Sequence, residues 1–215
     1  MINKNILSII LLITLISLTT SYYIQEGNDV SKIITNFTFG SDFYGRYTKN
    51  ENIFRKVLKH NTNFWIWLGN SVSLDKPVFN ILSDSSEQMD FDFIKKAYYK
   101  VKTNKYYSLL NNLYPIIGTW GDHEYGLNFG NEAHKQKESY KQYYLDFLDV
   151  DTLDQRREKT DMGMFSTYSF GSGYKTIRVI LLDLKYNKSA YLPREKNDML
   201  GDTQWNWLET IFKKT

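Results

Sequence analysis

Short apolar runs, separated by segments of helical periodicity, make up most of the chain. Residues 64–68, 115–120 and 176–182 are mainly apolar, while residues 33–40 and 164–170 alternate between apolar and polar positions. Continuous apolar runs are typical of strands buried on both faces of a parallel sheet, and alternation is typical of half-buried strands. The pattern predicts five strands, with residues 171–174 as the hairpin turn between the last two.

Apolar residues recur every three or four positions in residues 52–60, 93–113, 137–148 and 205–212. This spacing predicts four helices, of which the second is long and continuous and the last is capped by Asp202 and Thr203. Strands that alternate with helices are typical of an α/β domain built on a layered sheet. No repeat or linker divides residues 33–215, so a single domain is expected.

Polar side chains follow four of the predicted strands directly. They are Asp42, Asn70, the pair Asp122 and His123, and Asp183. In an α/β sheet, ligands bind at the carboxyl ends of the strands. The recurrence of polar residues at these ends therefore predicts a functional site there.

Three residues near the third predicted strand have the chemistry of metal ligands. Asp122 and His123 are adjacent, and Asn128 follows five residues after His123. Hard divalent cations accept carboxylate, imidazole and amide ligands of this kind. In isolation, an Asp-His pair is read more simply as a turn cap beside a surface histidine.

Other conspicuous side chains have simpler interpretations. The tryptophans occupy apolar positions, so core packing is expected rather than ligand stacking; they are Trp65, Trp67, Trp120, Trp205 and Trp207. The tyrosine pairs at 98–99, 106–107 and 143–144 are interpreted as helix faces that reach the surface. His60 and His134 are expected to face solvent.

The composition and the distribution of charge limit the classes of function that fit the sequence. The 215 residues include 42% hydrophobic and 24% charged residues, as in an ordinary soluble domain, and the net charge of +3 is scattered along the chain. No basic stripe indicates nucleic-acid binding. The chain has no Cys, so a hydrophobic core, without disulfides, must stabilise the fold.

The first 21 residues have the pattern of a signal peptide. Lys4 precedes an uncharged run over residues 6–18, which is followed by Thr19, Thr20 and Ser21. The run is shorter than the roughly 20 apolar residues of a spanning helix, so a secretory leader is expected, with an uncleaved membrane anchor as the alternative. Entry into the secretory pathway predicts an extracellular or lumenal protein, and the sequons at Asn36 and Asn187 would then be available for glycosylation.

Five segments in order resemble the PhoD-like (alkaline phosphatase D) metallophosphatases. "GTWGDHEYGLNFGN" (118–131) resembles the family motif Gly-Thr-Trp-Asp-Asp-His-Asp-Tyr-Gly-x-Asn-Asp. "FGSD" (39–42) is similar to the family's Gly-Ser-Cys turn, and "WLGNSVSLD" (67–75) to its Leu-Gly-Asp-x-x-Tyr-x-Asp block. "ILLDLKYNKS" (180–189) and "LGDTQWNWLE" (200–209) are similar to its Leu-Leu-Asp-x-Arg-Tyr-x-Arg and Gln-Trp-x-Trp-Leu-Glu segments. The resemblance covers about residues 36 to 212.

The resemblance implies a calcineurin-like metallophosphoesterase sandwich of mixed sheets flanked by helices. It implies a metal pair, iron with calcium, that activates a hydroxide to hydrolyse a small phosphate ester. Carried over residue by residue, it makes Asp122 and His123 catalytic, and it makes Lys185 and Lys188 phosphate-binding. The metal ligands that it implies are Asp42, Asn70, Asp122 and Asn128, while Asp75 and Asp183 have structural roles.

The chain departs from the family pattern at several implied ligands. Asp42 stands in place of Cys, Asn70 in place of the bridging Asp, Ser73 in place of Tyr, and Gly121 in place of the first Asp of the Asp-Asp-His motif. A neutral amide lacks the charge that holds two cations close together. The family pattern also continues beyond the Gln-Trp-x-Trp-Leu block into a Gly-Asp-x-His segment, so the resemblance implies that this chain covers only the N-terminal part of the domain.

Three functional hypotheses follow. The first is a secreted metal-dependent phosphatase with impaired activity, and the second is a catalytically inactive pseudophosphatase that binds a ligand or a protein. The third is an incomplete domain that does not fold alone, because an inner strand would become an edge.

Overall fold

The computed structural model describes residues 25–26, 34, 36–43, 52–72, 91–127, 129–190 and 197–213. The predicted leader over residues 1–21 lies outside these residues. So do Ser73, Asp75 and Asn128, three residues that the family resemblance singles out. Among the described residues, no helix is both long and apolar enough to cross a membrane.

Within the described residues, six strands form two three-stranded sheets. They are β1 (Gln25–Glu26), β2 (Thr38–Gly40), β3 (Trp65–Leu68), β4 (Ile116–Thr119), β5 (Ser166–Phe170) and β6 (Ile177–Leu181). Strands β2, β3 and β4 are parallel and lie in that order. In the other sheet, β5 pairs in parallel with β1 and antiparallel with β6. The predicted strands are all present, with shorter bounds, and β5 and β6 form the predicted hairpin.

Seven α-helices connect or follow these strands within the described residues. They are α1 (Asn52–Lys59), α2 (Phe91–Lys102), α3 (Lys105–Leu113), α4 (Asp122–Tyr125), α5 (Lys137–Phe147), α6 (Gln155–Glu158) and α7 (Gly201–Lys213). A short 3-10 turn, Gly173–Lys175, lies in the β5–β6 connection. The molecule therefore has the predicted α/β class, with a parallel sheet flanked by helices.

Residues 64–67, which include most of the central strand β3, are buried on both faces of the sheet, as the apolar run predicts, whereas Leu68 at the end of the strand is 48% exposed. Trp65 and Trp67 pack into an aromatic core with Phe54 of α1 and with helices α2, α3 and α5. The alternate residues Phe64 and Ile66 face the opposite way, toward Tyr168, Phe170 and Leu181 of the second sheet. The rings of Phe64 and Phe170 stack with their centroids 3.9 Å apart, so the two sheets pack face to face.

The single long helix predicted over residues 93–113 is wrong, because the chain breaks it at Thr103 and Asn104. The Asn104 side chain accepts hydrogen bonds from the backbone N–H groups of Tyr106 and Tyr107, both at 3.1 Å. This is an N-cap, which gives α3 a start of its own. The break lets α2 and α3 pack at different places on the same core.

The last helix begins earlier than predicted, and its cap is a different residue. Asp202 lies inside α7. The carboxylate of Asp198 instead accepts the N–H groups of Leu200 at 3.0 Å and of Gly201 at 3.1 Å. It also accepts the indole N–H of Trp205 at 2.9 Å. Trp205 is 47% exposed, so the expectation that it packs in the core is wrong.

The prediction that the tyrosine pairs reach the surface fails for one member of each pair. Tyr98, Tyr107 and Tyr144 are at most 5% exposed, whereas Tyr99 is 70% exposed. The Tyr107 hydroxyl accepts a hydrogen bond from the indole N–H of Trp67 at 3.1 Å. A buried hydroxyl with such a partner costs little, so Tyr107 can serve as a core residue.

Candidate functional site

The loops that follow the three parallel strands converge at one edge of the sheet. Asn70, after β3, donates from Nδ2 to Oδ1 of Asp42, after β2, at 2.9 Å. The Asn70 Oδ1 accepts the backbone N–H of His123, after β4, at 3.5 Å. The carboxyl ends of parallel strands meet at the same edge, and the structure brings together three of the polar residues that the sequence places at these ends.

The loops turn sharply enough to meet because two polar residues adopt left-handed backbone conformations. Asp42 has φ of 52°, Asn70 has φ of 49°, and Gly69 before it has φ of 92°. Asn and Asp tolerate this region better than other residues with side chains, and Gly enters it without steric cost. The backbone N–H of Phe43 then donates to the carbonyl of Asn70 at 2.9 Å, which joins the two turns directly.

Glu124, to which no sequence motif assigns a role, supports this arrangement from the buried side. Its carboxylate is fully buried. One oxygen accepts the backbone N–H groups of Asn70 at 2.9 Å and Gly121 at 2.8 Å. The other accepts the Ser71 hydroxyl at 2.7 Å and the Val72 N–H at 3.2 Å. Glu124 lies three residues after Gly121 and accepts its N–H, as the Glu of a capping box does, but Gly121 lacks the Ser or Thr side chain by which such a box is recognised in a sequence.

The side chain of Asn70 lies against Gly121. A Cβ atom at position 121 would be 2.8 Å from the backbone N of Asn70 and 2.9 Å from its Cγ, and closer still to its Oδ1. Such separations are too short for non-bonded heavy atoms. The amide of Asn70 therefore occupies the space that a side chain at position 121 would need, and the two departures from the family pattern fit each other.

The carboxylate of Asp122 belongs to a different set of contacts. Its Oδ1 accepts a short hydrogen bond from the ammonium of Lys185 and the backbone N–H of Phe129 at 3.0 Å. The Lys185 and Asp122 side chains are 17% and 31% exposed. Lys185, expected to bind phosphate, is thus held by an acidic residue of the candidate site.

Lys185 is anchored by a buried polar cluster at the end of β6. The Asp183 carboxylate accepts the backbone N–H groups of Lys185 at 2.8 Å, Tyr186 at 3.0 Å and Met164 at 2.7 Å. The side chain of Gln204 in α7 binds both the N–H and the carbonyl of Asp183, each at 2.8 Å. These contacts agree with a structural role for Asp183.

The surroundings of Asp42 favour its charged form. The hydrogen bond from Asn70 lowers the pKa of Asp42, and the Ser41 hydroxyl, which donates to Oδ2 at 2.7 Å, adds to this effect. The charge of His123 contributes further. Asp42 is therefore ionised at neutral pH.

Three other basic residues lie elsewhere. Lys188 lines a cavity of about 140 Å³ with Asn131, Ser189 and Asp198, and none of the candidate ligands contributes to its lining. His134 is half-buried, with its ring 5.2 Å from that of Tyr125 and 5.4 Å from that of Tyr140. The expectation that His134 faces solvent is wrong. His60 is exposed at the end of α1, as expected.

The described residues do not fit the two-metal centre that the resemblance implies. No group of three or more His, Cys, Asp and Glu side chains in this part of the chain could hold a metal ion. Asp42 and Asp122 lie in separate networks, the second of which contains an ammonium group. Asn70 supplies no charge between them, and Asn128 lies outside the described residues.

Comparison with known proteins does not assign the chain to a family. No protein-family model matches it, and searches of the curated proteins and of the solved structures found no match either.

Proposed function

We propose that this chain is a phosphoric ester hydrolase of the PhoD-like type whose hydrolytic activity is impaired. The observation that carries the proposal is the convergence of Asp42, Asn70 and His123 at the carboxyl ends of β2, β3 and β4. These residues fall in three of the five segments that resemble the family. A polar cluster in this position of an α/β sheet is the usual place for a ligand site.

The impairment follows from the charge of the cluster. Hydrolysis of a phosphate ester requires positive charge to stabilise the phosphoryl oxygens and an activated water to attack phosphorus. In place of a bridging carboxylate the chain has the neutral Asn70, and the ammonium of Lys185 is engaged by Asp122. The described residues therefore supply an ionised carboxylate and an imidazole, but little free positive charge, so slow turnover is expected.

The test measures hydrolysis of p-nitrophenyl phosphate and of its bis-ester by the purified full chain from pH 7 to pH 10. Assays run with chelator and with added iron and calcium. We expect weak activity that Asp42→Asn lowers at least tenfold and Asn70→Asp raises. The exposed Asp161 offers a matched control, and Asp161→Asn should leave the rate unchanged. Equal rates in the native chain, Asp42→Asn and Asp161→Asn would refute the proposed site.

A second candidate is a catalytically inactive pseudophosphatase that binds a phosphorylated ligand. The pairing of Asp122 with Lys185 favours it, because this acidic residue already has a cationic partner. Titration calorimetry with inorganic phosphate and vanadate separates the two functions. Binding that His123→Ala weakens, together with turnover no faster than that of Asp42→Asn, would select the pseudophosphatase.

A further inference from the structure

One carboxylate of the candidate site already forms an ion pair with a lysine ammonium of the same chain. Asp122 stands at the start of α4, after β4 of the parallel sheet, while Lys185 follows β6 of the second sheet, 63 residues further along the chain. The two loops meet at the sheet edge, where Thr119 also donates its hydroxyl to the carbonyl of Leu182 at 2.9 Å. The ion pair thus joins the ends of two different sheets.

Lys185 is well positioned for this role because its backbone is fixed. The Asp183 carboxylate, 1% exposed, holds the Lys185 N–H, and the fully buried Gln204 holds the backbone of Asp183. The lysine stem therefore begins from a rigid point, and its ammonium is only partly exposed. An ion pair of this kind is screened less by solvent than a surface pair.

The ion pair with Lys185 affects how Asp122 can bind a metal cation. A divalent cation and a lysine ammonium compete for the same carboxylate, since each is attracted by its negative charge. To bind Asp122, a divalent cation must displace the ammonium of Lys185, which belongs to the same chain. We propose that Lys185 is a built-in counter-ion that closes Asp122 to divalent cations. The proposal rests on the proposed function only in placing Asp122 at the phosphate-ester site.

The test reads cation binding, so it does not depend on whether the chain hydrolyses anything. Mn²⁺ is titrated into the isotope-labelled full chain, and the paramagnetic broadening of the His123 and Phe129 amide signals is followed. We expect Lys185→Met to reach half-maximal broadening at a Mn²⁺ concentration at least tenfold lower than the native chain. Lys185→Arg should behave like the native chain, because it keeps the positive charge.

Two controls assign the effect to Asp122. Lys188→Met removes one positive charge from the same segment, three residues away, and should leave the titration unchanged. Adding Asp122→Asn to Lys185→Met should abolish the gain. The proposal is overturned if Lys185→Met and the native chain broaden at the same Mn²⁺ concentration, or if the gain survives Asp122→Asn.

A second measurement uses the native chain and covers the case in which Lys185→Met does not fold. Trace acetylation with acetic anhydride, read by mass spectrometry, reports how available each lysine amine is. The ion-paired Lys185 should react at least threefold more slowly than Lys188, and Asp122→Asn should remove most of this difference. Equal reactivity of the two lysines in the native chain would contradict the ion pair itself.

Discussion

The candidate site has two layers that are built in opposite ways. In the lower layer, the fully buried Glu124 uses both carboxylate oxygens to bind four donors from the loops after β3 and β4. In the upper layer, Asp42 and Asp122 are at least partly exposed, and each is paired separately, with an amide and with an ammonium. The support that shapes a strand-end site is therefore complete, while of the two exposed carboxylates Asp122 is neutralised by Lys185 and Asp42 is bound only by a neutral amide.

The largest change in stability is expected for a substitution in the lower layer. Glu124→Gln keeps the size of the side chain but places an NH2 group against donors that need an acceptor. Loss of charge-assisted hydrogen bonds and a buried unsatisfied donor should together lower the free energy of unfolding by about 3 kcal/mol. Urea denaturation checks this value.

The exposed Glu158 gives the matched control for this substitution. Glu158→Gln should change the free energy of unfolding by less than about 0.5 kcal/mol, as for most surface substitutions. If Glu124→Gln were equally harmless, the carboxylate would not be what holds the two loops, and the lower layer would have no special role.

A smaller effect is expected where the two layers touch, at Gly121. A Cβ atom there would crowd Asn70, whose backbone N would be 2.8 Å away. Overpacking of this kind costs roughly 1–3 kcal/mol, so Gly121→Ala should destabilise the fold by about 2 kcal/mol in thermal unfolding.

A double-mutant cycle tests whether the amide of Asn70 causes the crowding. In the background of Asn70→Ala, the side-chain contacts disappear while the backbone contact stays, so Gly121→Ala should cost about 1 kcal/mol less than in the native chain. Strict additivity of the two substitutions would show that the side chain of Asn70 does not fill this space.

The sequence was sufficient to locate the residues of the candidate site that follow strand ends. Three predicted strands, each followed by polar residues, placed Asp42, Asn70 and His123 at strand ends, and parallel pairing puts those ends at one edge of the sheet. The role of Glu124 could not be predicted in this way, because Gly121 lacks the side chain by which a capping box is recognised in a sequence.

The Asp122–Lys185 pair could not be predicted from the sequence. It depends on how the second sheet packs against the first, and no local pattern connects residues 63 positions apart. The same limit applies to the tyrosines, because an amphipathic helix with aromatic residues on several faces does not show which face is covered until the neighbouring elements are placed.

The smallest predicted effect concerns the upper layer and is a change in one pKa. The hydrogen bond from Asn70 is the main cause of the lowered pKa of Asp42, and the Ser41 hydroxyl is the second. Asn70→Ala should therefore raise the pKa of Asp42 toward its ordinary value of 3.8, and Ser41→Ala should raise it less. Titration of the Asp42 carboxyl carbon by NMR measures both changes.

The sign of the accompanying stability change follows from linkage. Because the pKa of Asp42 is lower in the folded chain than in the unfolded chain, its contribution is present above the unfolded pKa and is lost as the pH falls through the folded pKa. Asn70→Ala should therefore reduce the loss of stability on acidification below about pH 4, only slightly because Asp42 is exposed and solvent screens it. If Ser41→Ala raised the pKa of Asp42 more than Asn70→Ala did, the hydroxyl rather than the amide would be the main partner of this carboxylate. The upper layer would then be organised within the β2 turn, and the contact between the β2 and β3 loops would contribute little to its charge.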